Sequence, residues 1–279
     1  MAPVGRARDD ASMPKPRPSL ALVLDLLKDI APLELAADWD NVGLLLEPSR
    51  RAPPIARVLL TIDLTEAVVA EAARMRADLV VAYHPPIFHG MKQLRASDAR
   101  QRAVLAALAA GLFVYSPHTA LDAAPGGLAD WLAEGVAGKD APKSLRPCGD
   151  GEFGRVIELA APVALAAMIE RIQRWLRLRH VRLAATAAGV KQRVRTVAVA
   201  AGAGSSVLRG EQADLWLTGE LSHHDALAAT AAGTAVVVTD HSNSERGFLR
   251  VLQKRMRDGL DGAIDVRIAS SDRDPFTVV

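Results

Sequence analysis

Ala77-Asp78-Leu79-Val80-Val81-Ala82-Tyr83-His84-Pro85-Pro86-Ile87-Phe88-His89-Gly90 decides how this chain is read. A short apolar run that breaks off in histidine and proline predicts a buried strand with an imidazole at its carboxyl end. The device recurs downstream, where Phe113-Val114-Tyr115-Ser116 runs into Pro117-His118-Thr119 and Asp122 follows. Strand ends that release His and Asp into loops suit an open α/β sheet, whose sites gather outside the carboxyl ends of its strands.

Working outward, residues 58–63 read as a strand, 65–75 as a helix capped by Thr65, and 79–83 as the next strand, a βαβ unit. Residues 97–111 give a second capped helix closed by glycine, and 112–115 a third strand. Such alternation indicates a largely parallel sheet. At the amino-terminal side, Ser19 caps a helix that runs to Ile30 and stops at Pro32, and Asp38 to Leu44 carries ordinary turn residues. Residues 128–136 form a short helix. From Ala137 to Gly151 apolar periodicity disappears, which marks a domain boundary. Beyond it come a strand at 154–159, a helix at 162–176, strands near 180–183, 194–200 and 214–218, and an alanine-rich helix ending at Gly233. A strand at 235–239, a helix to about Arg257 and a strand at 264–269 complete the pattern. Ala201-Gly202-Ala203-Gly204 lacks the third glycine of a dinucleotide fingerprint and the Gly-Lys of a P-loop. It reads as a tight turn, with an anion cradle as the alternative.

Composition narrows the classes. Half of the 279 residues are apolar, enough for a sizeable core. Thirty-four Lys and Arg against thirty-two Asp and Glu leave a net charge of +2, and the basic residues are scattered except between Arg171 and Arg182, so charge gives nucleic-acid binding no support. One cysteine, Cys148, excludes an internal disulfide and a Cys-rich zinc site, and it fits a reducing, cytoplasmic setting. No apolar run approaches the roughly 20 residues of a membrane span. Met1 to Pro18, with four prolines and the pair Asp9-Asp10, resembles neither a signal nor a transit peptide and is expected to be a disordered tail.

Histidines supply what chemistry there is. His84, His118 and His241 each end a predicted strand, His223 and His224 open a helix after another, and Asp122 and Glu245 lie close in sequence to two of them. A set of imidazoles and carboxylates suits zinc, manganese or iron, although caps and turns produce similar clusters. Glu245 carries two readings. Ser242-Asn243-Ser244-Glu245 fits a capping box, whereas His241 and Glu245, four apart, share one helical face as ligands would.

Four ordered blocks resemble the signatures of the Nif-three-like dinuclear metal centre family, whose members are also labelled type 2 GTP cyclohydrolase I homologues. They are residues 77–88, His118-Thr119-Ala120-Leu121-Asp122 with its double glycine, Thr218 to Leu227, and His241 to Gly247; Asp40 to Leu44 is similar to the family's amino-terminal block. The resemblance runs from about Leu20 to the end of the sequence. It implies His84, Asp122, His241 and Glu245 as metal ligands, with Glu245 bridging two ions, so that one or two divalent ions are expected. Tyr83 stands where most bacterial members have the first of two histidines, which removes a ligand from one ion, and the last block is similar to that of eukaryotic members. His118 is expected to transfer protons. Tyr83, His223, His224 and Asn41 are expected behind the ligands or on the substrate.

The expected fold is therefore α/β with two domains: residues 19–136 plus 234–279 around a largely parallel sheet, and an inserted α/β domain at 149–233. The resemblance implies a ring-like homohexamer and a metal-dependent hydrolase of a nucleotide-like or other small substrate, acting through metal-activated water. Likeness to a cyclohydrolase is an analogy at family level. The alternative is a metal-binding scaffold or regulatory partner without turnover.

Overall fold

The computed structural model describes residues 16–49, 51–139 and 141–279. Helix α1 (Leu20–Ile30) starts where Ser19 Oγ accepts the Leu22 N–H at 3.2 Å, and buries Leu20, Val23, Leu27 and Ile30, the 3-4-3 spacing of one helical face. Each such side chain removed from water contributes about 1.5–3 kcal/mol. Strand β1 (Gly43–Leu46) follows, then β2 (Arg57–Thr61), α2 (Glu66–Met75), β3 (Leu79–Ala82), α3 (Ala99–Ala109) and β4 (Phe113–Ser116). Thr65 caps α2 and Asp98 caps α3, each through a side-chain oxygen. The first sheet has the order β1-β4-β3-β2-β11, with β11 (Asp265–Ile268) returning from the far end of the sequence. Every pairing in it is parallel except β1 with β4.

After α4 (His118–Ala123) and α5 (Leu128–Ala137) the chain builds a mixed sheet of order β5-β6-β8-β9-β10-β7. Its strands are β5 (Ser144–Cys148), β6 (Gly154–Ala164), β7 (Arg182–Ala184), β8 (Arg193–Ala203), β9 (Leu215–Glu220) and β10 (Ala235–Val238). Its helices are α6 (Leu165–Leu176), α7 (Ser205–Leu208) and α8 (His223–Ala231), and α9 (Leu249–Gly259) leads back to β11. One apolar core runs from α1 and the first sheet through Leu128 and Leu132 of α5 to Val197 and Leu215 of the second. Smaller clusters cover the outer faces, Val68 and Val104 on the first sheet and Leu208 and Ala229 on the second. Among the described residues no helix is long and apolar enough to cross a membrane.

Several expectations need correction. β10 belongs to the second sheet, parallel to β9 and antiparallel to β7, so a boundary at 234 cuts that sheet. Its buried Ala235-Val236-Val237-Val238 suits either sheet equally, and only pairing decides. β5 lies before 149, inside the stretch read as linker; it is an edge strand, mostly exposed, with Pro147 in it, and edges tolerate proline. Helix α6 starts at Leu165 and not at Pro162, because β6 continues through an irregular register between Glu158 and Val163 that accommodates the proline. β1 emerges from the expected turn once Gly43, at φ +101°, has bent the chain. Residues 1–15 of the expected tail lie outside the described residues, but Pro18 is buried and its carbonyl accepts the Ile55 N–H at 2.8 Å, so it is part of the fold.

Candidate metal centre

The carboxyl ends of parallel strands from both sheets converge on one cavity. His84 follows β3, Asp63 follows β2, His118 follows β4, Glu220 ends β9, and His241 and Glu245 follow β10. The cavity has a volume of about 690 Å³, within the usual range for small-molecule sites. His84, His118, Asp122, His241 and Glu245 line it on one side. Trp39, Phe88 and Phe153 contribute aromatic walls.

Three of the four expected ligands come together. One ligand atom each of His84, His241 and Glu245 lie within 4.8 Å of one another. Glu245 stands between the rings, its Oε2 3.5 Å from His84 Nε2 and its Oε1 3.4 Å from His241 Nε2. The carboxylate is only 2 % exposed, and Oε2 makes no hydrogen bond among the described residues. The capping box is not formed: Ser242 Oγ bonds Asp274 Oδ2 at 2.7 Å, and the short helical turns on either side of Glu245 carry no side-chain cap.

Each cavity histidine has a carboxylate behind it. Nδ1 of His84 is 2.9 Å from Asp63, Nδ1 of His118 is 2.8 Å from Asp40, and Nδ1 of His241 is 3.2 Å from Glu220. A carboxylate that accepts a hydrogen bond from Nδ1–H fixes the tautomer, orients the ring and leaves Nε2 as the basic atom, as behind metal-bound imidazoles. Burial works against a charged His84, but its hydrogen bond to Asp63 and the carboxylate of Glu245 outweigh that and raise its pKa to about 10. Asp63 is lowered in return: burial would raise it, and the His84 ring overcomes that. Asp40 is lowered too, its burial offset by His118, by the Thr119 hydroxyl and by the Asn41 N–H.

Asp122 stands outside the three-residue cluster. Its Oδ1 accepts the Tyr83 hydroxyl at 2.6 Å. Burial of both groups raises both pKa values, and Glu245's charge adds to each shift. Tyr83 thus stays a neutral phenol. His118 sits at φ +30°, a conformation non-glycine residues rarely adopt, with its ring 5.5 Å from those of Tyr83 and His84. Asn41 does not line the cavity; its Nδ2 donates to the Ile87 carbonyl at 2.5 Å and ties the Pro85–Phe88 loop to β1's approach. His223 and His224 are exposed at the start of α8, pack ring against ring and reach neither cavity nor cluster, contrary to expectation.

Gly202 answers the question of the two-glycine loop. It has φ +56°, and a Cβ there would lie 2.8 Å from Glu245 Oε1 and 2.9 Å from His241 Nε2. The turn is tight because it must leave room beside the cluster. Sequence reasoning missed this role, and it missed Asp40, Asp63 and Glu220 as partners of the rings. Asp63 and Glu220 do stand at strand ends, the one signal that could have exposed them.

The residues fit a divalent cation. A buried carboxylate that makes no hydrogen bond through Oε2, an imidazole Nε2 facing each of its oxygens and a glycine cleared from its side form a donor set suited to a bound cation.

A family model described as Duf34/NIF3 (NGG1p interacting factor 3) matches residues 19–275. The Schizosaccharomyces pombe protein NIF3 homolog is 41% identical over 261 residues, 88% of this chain and 93% of that protein. The NGG1-interacting factor 3 of Saccharomyces cerevisiae is 37% identical over 260 residues, 86% of this chain and 90% of its own. Among solved structures, a Bacillus cereus protein related to NIF3 has the same fold, with TM-score 0.82 at 19% identity over 95% of this chain and 100% of that one.

Proposed function

Starting from the Duf34/NIF3 family, to which this chain belongs, we propose that His84, His241 and Glu245 hold a divalent ion and that the adjoining cavity hydrolyses a small substrate. The observation that carries this reading is the buried carboxylate of Glu245 held between Nε2 of His84 and Nε2 of His241 on the cavity wall. Without an ion the protonated His84 offsets that buried charge, and a divalent cation that displaces the proton would take its place. Two imidazoles and a carboxylate suit zinc, iron or manganese, and three protein donors leave coordination positions open to the cavity. When bound, such an ion would supply Lewis-acid polarisation and lower the pKa of water toward about 7.

The chain's own residues do the rest. Asp63 hydrogen-bonds Nδ1 of His84 and holds its Nε2 forward, and Glu220 stands 3.2 Å from Nδ1 of His241. Asp40 holds His118 in the same tautomer, which leaves its Nε2 to accept or return a proton. Trp39, Phe88 and Phe153 shield the apolar part of a nucleotide-like or other small substrate from water. Asp122 would serve a second ion, but its oxygen is taken by Tyr83. One ion per chain is therefore expected, and Tyr83→His, which frees Asp122 and adds a nitrogen, should move the stoichiometry toward two. Metal content across a titration checks this; two equally tight ions in the unaltered protein would refute it. The homohexameric ring and cytoplasmic setting that the resemblance implies belong with this reading.

The deciding experiment is metal analysis of the purified protein with a broad hydrolase panel, with and without chelator. Turnover that disappears with chelator and returns with metal supports a hydrolase. A second reading follows from the yeast relative's designation as an interacting factor: metal retained with no turnover, and a partner protein co-purifying, would favour a metal-bearing scaffold.

A further inference from the structure

Two of the five arginines between 171 and 182 line a hollow on the other side of the segment that carries His241 and Glu245. Arg174 and Arg177 close α6, Arg246 and Arg250 open α9, and all four line a second cavity of about 670 Å³ that shares no residue with the first. The negative end of α6 explains Arg174, the basic residue of its last turn. The same argument fails for Arg250, which sits in the first turn of α9, where a helix favours anions and where no acidic residue is present.

Counter-charge is short. Asp272 is the one carboxylate in the lining, and it is already committed to Arg246 at 2.5 Å and to the Ile62 N–H at 2.9 Å. Among the described residues Arg174 donates only to the Glu170 carbonyl, at 3.2 Å, and Arg177 and Arg250 have no ion-pair partner. Arg177 also holds the left-handed backbone at φ +59° that ends α6, a position where glycine is the usual choice. Three guanidiniums from two helices thus face one ligand-sized hollow, beside the half-buried ring of Trp175, which packs on Trp131 at 5.5 Å. Guanidinium forks match phosphate oxygens, and an aromatic face beside them suits the organic part of an ester.

We propose that this cavity binds a small phosphate-bearing anion, with Arg177 and Arg250 as its principal contacts. The site is independent of the metal cluster, so its test stands whatever becomes of the hydrolase reading. Chelator-treated full-length protein is titrated calorimetrically with inorganic pyrophosphate and, separately, with a nucleoside diphosphate. The two arms distinguish a free phosphoanion from an esterified one. One saturable site per chain is expected, weakened by added salt. In Arg177→Gln/Arg250→Gln affinity should fall at least about tenfold, the effect of losing charge-assisted hydrogen bonds, while His223→Ala, an exposed change outside the lining, should bind as the unaltered protein does. Both arginines are exposed, so the fold should persist; thermal unfolding verifies this, and single Arg250→Gln serves if the double variant is unstable. Absence of saturable binding to either probe, unchanged affinity in the variants, or a changed oligomeric state with unchanged affinity would each overturn the proposal.

Discussion

Two groups of histidines look alike in sequence and differ entirely in their surroundings. His84, His118 and His241 each have a carboxylate within 3.2 Å of Nδ1 and line a cavity; His223 and His224 touch chiefly each other and face solvent. All five follow a strand. What separates a candidate ligand from a surface residue is the acid behind the ring, because only a ring whose Nδ1 is engaged presents Nε2 in a fixed direction.

The harshest trial of that contrast is Glu245→Gln. With no capping box to preserve, the change should leave the helix intact and reduce metal affinity more than about a hundredfold, since glutamine offers no negative charge to the ion. Equilibrium dialysis measures it, and unchanged affinity would return Glu245 to the ordinary residues. Next comes pH. His84, raised to about 10, carries a proton at neutral pH that an ion must displace, so affinity should fall about tenfold per unit of acidification, or about a hundredfold between pH 8 and pH 6. Calorimetry in buffers of different ionisation enthalpy should register the released proton. The metal-free fold shows the opposite trend. His84's contribution to stability is complete below its ordinary value of 6.5 and is lost as pH rises through about 10.

A gentler trial is Asp63→Asn, which keeps the side chain's size and removes the charge behind His84. Metal affinity should drop about tenfold to a hundredfold, and an equal drop in Glu220→Gln would show that the two rings are held alike. The smallest effect is expected from His223→Ala and His224→Ala: metal content unchanged, and stability within about 0.5 kcal/mol on denaturant titration, as for exposed positions. Loss of metal in either would erase the distinction.

Much of this was legible from residues alone. The run from β2 to β4 announced itself because capping residues and fully buried apolar runs are local signals: Thr65 starts its helix wherever that helix packs, while the second cap proved to be Asp98, one residue past the expected start at 97. The placement of β10 was not legible, because four buried residues specify burial and not a neighbour. β5 was hidden because an exposed edge strand needs no apolar pattern. In the site, His84, His241 and Glu245 were visible at strand ends, helped by the family resemblance. Asp40 and Asp63 were not singled out, since a carboxylate in a loop reads as turn chemistry until the ring it faces is known. The expectation for His223 and His224 failed for the complementary reason. Position after a strand says where a residue starts and nothing of which way the next helix carries it.

The return of β11 to the edge of the first sheet has a consequence for how the protein comes into being. His84 and Asp63 leave the ribosome long before Glu245, 161 residues further on, which at about 5–20 residues per second is a delay of roughly 8 to 30 s. Throughout it β2 lacks the neighbour that will cover its open edge, and the imidazole of His84 has only half of its partners. The nascent chain can therefore assemble β2, α2, β3, α3 and β4 early, yet it cannot trap an ion at the cluster until synthesis is nearly over.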